Sequence, residues 1–457
     1  MHSRESTATG VRLDKWLDRL LALLVCISLL LTSTLWLGVP RWAQITETWT
    51  IAPEKTDPPP LDTLLAPGLV LLHDGEATRR GLRAGTDDFL RFWENGQDFA
   101  RILSGITGQR RDVALAEINR VRAGPAVEML FGDAYALSDL FRVFRVSGPE
   151  TDILVDRFIL TGGSPRRVYM RTVPKMQYVS YELLPEAPDL VVSLRRHIPE
   201  GAPLYKELTG GTSGVAVNPG TFVLSGPPPL SPLSVGRDPT GSTALLSTFF
   251  VDVTILRRIE ERDGALIYSD GQRGVRIYPS GAIEYGQPQS TELEPDKILA
   301  IERAAAFALA HGGLPATAYV DRISLDRPDS RGNTVVRFGF RYAGMPVVGP
   351  RGIIEVTVSP KGVESFVRNF RLPSGPAGPP KRVISAEEVL ISIAAARQQL
   401  FSDQDPGQII SMQLAYLNSG PEEGLEPLVP VWAVEFDLGH SIVVNAYTGA
   451  AERRVAP

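Results

Sequence analysis

The sequence predicts an α+β protein with one N-terminal transmembrane helix and a multi-domain region of mostly antiparallel sheets outside the cell. Three observations carry this expectation. Leu20 to Leu37 is an uncharged run of 18 residues. Beyond it, short apolar segments with strand periodicity alternate with Gly/Pro turns. Finally, a helix followed by a meander occurs twice after residue 290, which reads as an internal repeat.

At 1.5 Å per residue the run Leu20–Leu37 spans about 27 Å, close to the hydrocarbon thickness of a bilayer. Trp16 flanks one end and Trp36 and Trp42 the other, where indole rings favour the interface. Four basic residues precede the run, and in the twenty positions after it only Arg41 and Lys55 occur. This bias places residues 1–19 in the cytoplasm, residues 20–40 in the membrane and the bulk of the chain outside the cell. A cleaved signal peptide is the alternative. The apolar run exceeds the usual length for one, and no A-x-A-like site follows. On a helical wheel Ala22, Cys26 and Ser33 form one stripe of small residues, and Ser28 and Thr32 another. These five are the candidate partner-binding positions, because small residues let membrane helices approach and hydroxyls bond across them. Ser and Thr bonding to their own i−4 carbonyls is the local alternative.

Residues 41–66 contain Pro53 and Pro58–Pro60 and suit a semi-extended spacer. An α+β domain is expected over 67–185. LAPGLVLLHDG (65–75) reads as a short buried strand ending in a turn, Ala126–Phe131, VYMRTV and MQYVSYELL as further strands, and one helix runs from Thr86 to Ile106 with Asp87 and Asp88 in its first turn. A β-rich domain is expected over 186–290, with GPPPLSPLS (226–234) as a loop and a hairpin around Pro279-Ser280-Gly281. The first helix-plus-strands unit covers 291–372, with Pro295 in the first helical turn and strands AYVDRISL, TVVRFGFRY, GIIEVTVS and VESFVRNFRL. PSGPAGPP (373–380) reads as a linker. The second unit covers 381–457, opening with a capping box of Ser385 and Glu388 and continuing with IISMQLAYL, LVPVWAVEF and SIVVNAYTG.

The chain has 457 residues, 43% of them apolar and 22% charged, ordinary globular usage that can build cores. The net charge is −5. Beyond residue 37 the chain holds 43 bases and 49 acids, a balance that argues against a nucleic-acid partner. The single cysteine, Cys26, excludes an intramolecular disulfide and a multi-cysteine metal site.

No constellation in the sequence carries chemistry. His2, His73, His197, His311 and His440 lie outside metal-ligand spacing of one another, so no metal is expected. His311-Gly312-Gly313 lacks an accompanying G-x-S-x-G elbow, and GGTSG (210–214) is one residue short of that pattern. Asp326, Asp329 and Gly332 lack the calcium-loop glutamate, since Arg337 stands in its place. The expectation is a binding protein with no cofactor and no catalytic residues.

The order of parts resembles the YycH (WalH) family of membrane regulators. The likeness is carried by LALLVCISLLLTSTLWLG (21–38) with its Leu35-Trp36 pair and by LAPGLVLLHDG (65–75). It continues in the block 249–286, in Phe249-Phe250, Tyr268, Asp270-Gly271 and Glu284-Tyr285. The C-terminal VPVWAVEF and SIVVNAYTG are similar to the companion YycI fold and, more loosely, to PepSY modules. The resemblance implies association with a YycI-like membrane protein and with a WalK-type sensor histidine kinase of a two-component system, whose activity it restrains. It implies no catalytic residues and assigns a role in the contact to the membrane helix. Two rivals remain open on the sequence: an anchored cell-envelope hydrolase and a PepSY-type protease inhibitor.

Overall fold

The computed structural model describes residues 23–25, 27–28, 59–151, 153–163, 165–211, 213–236, 243–288, 296–325, 333–349, 353–402, 404–418 and 426–454. The chain divides into two compact units, Met1–Glu54 and Lys55–Pro457. In the first, Leu23, Leu24, Val25, Ile27 and Ser28 are helical. Their neighbours in the expected membrane segment 20–40, residues 1–19 and most of the spacer lie outside the described residues. Among the described residues no helix is long and apolar enough to cross a membrane.

The second unit is mixed α+β with mostly antiparallel sheets. Its first sheet is built from β1 (Leu69–Asp74), β2 (Arg79–Arg83), β3 (Ile106–Val113), β4 (Pro125–Ala136), β5 (Leu154–Thr161), β6 (Arg167–Val173), β7 (Gln177–Leu183), β8 (Leu204–Glu207) and β9 (Phe222–Leu224). Among the described residues the order is β3-β7-β6-β5-β4-β1-β2-β8-β9, with every pairing antiparallel. The run Val70–Leu72 in β1 is buried throughout, which is why it reads as continuously apolar rather than alternating. Helix Leu190–His197 packs against β1, β4 and β5, and its N-terminus is capped by Asp189, whose carboxylate accepts from Val191 N at 3.0 Å. Phe99 anchors the core beneath, with ring centroids 5.2 Å from Phe144 and 5.1 Å from Phe158 in edge-to-face contact.

The single helix expected over Thr86–Ile106 is two, Asp87–Trp93 and Gln97–Ser104, joined by a turn of 3-10 helix at Glu94–Gly96. Gly96 has φ +71°, and a Cβ there would come 2.5 Å from Phe144 Cε1. The break lets Trp93 and Phe99 enter the same core, 5.7 Å apart. Apolar spacing persists across it, so periodicity alone did not reveal it.

The second sheet contains β11 (Arg257–Glu260), β12 (Leu266–Ser269), β13 (Gly274–Ile277), β14 (Ile283–Gly286), β15 (Ala318–Leu325), β16 (Thr334–Tyr342), β17 (Met345–Val348), β18 (Ile354–Ser359), β19 (Gly362–Arg368), β21 (Ile409–Leu417), β22 (Val429–Phe436), β23 (Ser441–Asn445) and β24 (Ala451–Arg454). Its order among the described residues is β11-β12-β13-β14-β19-β18-β16-β17-β21-β22-β23-β24, with β15 also paired to β16. The two helix-plus-strands units thus share one sheet, joined by the short parallel pairing of β17 with β21 at Val347↔Tyr416 and Val348↔Leu417. Helix Lys297–Ala310 lies on β16, β18 and β19. Helix Ala386–Ala395 starts at the expected capping box, with Glu388 N donating to Ser385 Oγ at 3.2 Å and Ser385 N to Glu388 Oε2 at 2.6 Å.

Among the described residues the stretch 186–290 forms no sheet of its own. Strands β8 and β9 extend the first sheet, while β11 to β14 extend the second. Strands of three or four residues gain little from one another and need a longer ladder to join. The proline-rich segments 226–234 and 373–380, expected as loop and linker, come together. Strand β10 (Leu233–Gly236) pairs with β20 (Leu372–Pro376), and Leu230 bridges to Lys381. A two-stranded ribbon leaves each strand one open edge, where residues without an N–H are tolerated.

Candidate functional site

Of the five candidate positions on the N-terminal helix, only Ser28 is among the described residues. It is helical and exposed, beside Leu23 and Ile27, which are 59% and 44% exposed. Ala22, Cys26, Thr32 and Ser33 lie outside the described residues. The polar turn at 326–332 and Pro295 do as well.

Within the first sheet the fold assembles a buried ion cluster. Glu128 on β4 is fully buried, as is His73 on β1. The Glu128 carboxylate accepts from Arg122 Nε at 3.0 Å and Nη2 at 2.7 Å, and from Arg157 Nη1 at 3.0 Å. His73 Nε2 lies 2.9 Å from Glu128 Oε2. Burial alone would raise the Glu128 pKa. The charge of Arg122, the His73 hydrogen bond and the charge of Arg157 outweigh it and hold the carboxyl well below the usual carboxylate range. Arg157 Nη1 also donates to Gly220 O at 2.6 Å. Gly220 is required there: its φ is +82°, and a Cβ would come 2.5 Å from Arg122 Nη2 and 2.8 Å from Arg157 Nη1. Next to this cluster Arg171 grips Asp156 with two hydrogen bonds, of 2.9 and 2.6 Å.

Between the two sheets lies a cavity of about 260 Å³, bounded by first-sheet residues such as Arg83, Asp133 and Arg157 and by Asp321, Arg341 and Met412 of the second. Asp133 sits where the β4–β5 register shifts, and it links the sheets. Its carboxylate accepts from Ala134 N at 2.8 Å and from Ile323 N, on β15, at 2.7 Å. Burial raises the Asp133 pKa against these backbone bonds. Arg341, on β16, stacks its guanidinium 3.6 Å from the Tyr319 ring centroid. It lies against Gly68, the residue before β1, where a Cβ would be 3.3 Å from Arg341 Nη2. Arg83, at the end of β2, donates from Nε to the Tyr205 hydroxyl at 2.5 Å.

Neither the ion cluster nor the cavity was visible in the sequence, because each unites residues distant along the chain. Arg341 stands inside the strand expected at TVVRFGFRY, and nothing local distinguishes it from the other arginines of the chain. Among the described residues no group of three or more His, Cys, Asp or Glu side chains is placed to hold a metal ion.

No family model matches the sequence, and no curated protein matches it. Two solved structures are similar to it. The crystal structure of YycH from Bacillus subtilis aligns with a TM-score of 0.58 at 14% identity, covering 88% of this chain and 98% of that one. The crystal structure of an uncharacterized protein from Eubacterium rectale aligns with a TM-score of 0.33 at 11% identity, covering 51% of this chain and 89% of that one. At such identity the likeness to the first is one of architecture, and it extends over nearly the whole of both chains. This chain has a YycH-like fold.

Proposed function

We propose that the chain is a membrane-anchored, extracytoplasmic regulatory protein that binds a WalK-type sensor histidine kinase and restrains it, acting with a YycI-like partner and catalysing nothing itself. The observation that carries this reading is the YycH-like architecture over 88% of the chain. The residue-level resemblance at 21–38, 65–75 and 249–286 supplies the kinase as partner. The exposed Leu23, Leu24, Val25 and Ile27 support an anchor. Apolar side chains on an exposed helix are unfavourable in water and favourable in lipid or against another membrane helix. In this reading residues 20–40 contact the bilayer, with the N-terminus cytoplasmic, and Ala22, Cys26, Ser28, Thr32 and Ser33 face the partner.

A regulator of this kind works by binding one signalling state better than the other. Lowering a half-populated active state to about 1% requires roughly 2.7 kcal/mol of differential affinity. The test is autophosphorylation of the kinase in proteoliposomes, with and without the full-length chain. The expected result is a fall in the phosphorylation rate that is abolished when 20–37 is replaced by a featureless Leu/Ala helix. Unchanged kinase output and no recovery of the kinase with the tagged chain from detergent would refute the proposal. Recovery of a secreted protease instead would favour the inhibitor reading.

A further inference from the structure

Five arginines line the cavity between the two sheets: Arg83, Arg157, Arg171, Arg322 and Arg341. Three of them have a carboxylate in ion-pair contact. Arg157 meets Glu128 at 3.0 Å, Arg171 meets Asp156 at 2.6 Å, and Arg322 meets Glu435 at 3.1 Å. Arg83 and Arg341 have none among the described residues. Their contacts are with aromatic side chains, Tyr205 and Tyr319. Among the described residues the protein thus neutralises three of the cations on the cavity wall and leaves two without a carboxylate, one from each sheet.

We infer that this cavity binds a small oxyanion ligand, a carboxylate or a phosphate group, held between Arg341 of the second sheet and Arg83 of the first. A guanidinium cannot shed its charge to escape burial. Stacking on one ring face leaves its N–H edge available, and a planar fork of donors is the geometry that oxyanions match. Arg341 is half-buried; burial disfavours its charged form, with Tyr319, Asp321 and Tyr135 acting against it, and a bound anion would offset that penalty.

The volume limits the ligand. About 260 Å³ lies just below the usual range for small-molecule sites. The cavity admits a small metabolite or ion and excludes a polypeptide. Its acids set a further limit. Asp133 is committed to the backbone N–H groups of Ala134 and Ile323. Asp321, also on the cavity wall, stands close enough to act on Arg341 electrostatically without an ion-pair contact. One remaining carboxylate beside two open guanidinium groups suits a small head of one or two negative charges, a carboxylate or a single phosphate, better than a polyphosphate. Because the open cations come from different sheets, an anion held by both ties the two sheets together. This reading is independent of the kinase proposal, and its test contains no kinase.

The test uses the purified full chain in detergent, titrated separately with succinate and with inorganic phosphate up to millimolar concentration against chloride of equal ionic strength. The expected result is a saturable rise in melting temperature with at least one probe, and calorimetric binding by the same probe. Saturation by succinate alone identifies a carboxylate site, and by phosphate alone a phosphate site. Arg341→Met is expected to weaken that binding at least tenfold, as loss of a charge-assisted hydrogen bond implies. Arg322→Met, at a cation that already has its carboxylate, is expected to change it less than twofold. If Arg341→Met fails to fold, Arg83→Gln takes its place and is expected to show the same selective loss. No response beyond chloride with either probe would overturn the inference, as would equal losses in Arg341→Met and Arg322→Met.

Discussion

The ion cluster around Glu128 and the cavity around Arg341 lie close together and share Arg157, yet they are built on opposite principles. In the cluster Glu128 accepts from two guanidinium groups and meets an imidazole, and Gly220 removes its own side chain to let them close in. At the cavity Arg341 has a tyrosine face, a glycine and an open space. Arg157 belongs to both, bonded to Glu128 and lining the cavity. The contrast teaches that buried charge alone does not mark a binding site. A network whose partners are all internal holds the fold, and the group left without a counter-charge is the one free to meet a ligand.

The largest effect that could break this comparison is at Glu128. Glu128→Gln leaves Arg122 and Arg157 buried beside a neutral amide and is expected to cost about 3–5 kcal/mol, as loss of one partner of a buried ion pair does. Guanidinium-chloride unfolding measures it. A loss under about 1 kcal/mol would mean that the two arginines find other partners and that the cluster is no anchor.

The two carboxylates also predict opposite pH behaviour. The folded pKa of Glu128 is depressed, so its stabilisation is present above the unfolded carboxylate value and is lost as pH falls through the folded pKa. Asp133 has a raised folded pKa. Its contribution is present at low pH and is lost as pH rises from about 3.8 through the folded value. Glu128→Gln is therefore expected to flatten the acid limb of the stability curve below about pH 4.5, and Asp133→Asn to leave that limb in place. Urea midpoints from pH 2.5 to 7 decide it; parallel limbs in wild type and Glu128→Gln would contradict the assignment.

Gly220→Ala sharpens the comparison from the backbone side. The substitution combines a left-handed φ with contacts of 2.5 and 2.8 Å to the two guanidinium groups, and is expected to cost about 1–3 kcal/mol. A neutral result in chemical denaturation would show that the arginines can retreat without loss.

What the sequence disclosed follows from the range of the forces involved. Strands Ala318–Leu325, Thr334–Tyr342 and Ile409–Leu417 begin and end where alternation and turn residues place them, and the Ser385–Glu388 box closes as expected. These signals are local. Joining β8 and β9 to the first sheet, pairing 230–236 with 372–381, and bringing His73, Arg122, Glu128 and Arg157 to one point all depend on contacts between distant segments. No window of sequence contains them. Gly96 is the intermediate case: a glycine inside a helical pattern was a visible cue, but the aromatic ring that excludes its Cβ belongs to Phe144. The cavity is the extreme one, since Arg83 and Arg341 are far apart along the chain and are set off only by having no carboxylate partner among the described residues.

The smallest expected effect is the most diagnostic. Arg341→Met removes a cation without orphaning an ion-pair partner, because no carboxylate meets it among the described residues. The lost stacking on Tyr319, about 0.5–2 kcal/mol, is opposed by relief of the guanidinium's desolvation. The net change in stability is expected to stay within about 1 kcal/mol by guanidinium-chloride unfolding in ligand-free buffer. A cost of 3 kcal/mol or more would make Arg341 a pin between the sheets, equivalent in kind to Arg122, and the distinction between the two regions would collapse. A small cost together with the selective loss of anion binding would leave only one role for a charge placed there: it is kept for what enters the cavity.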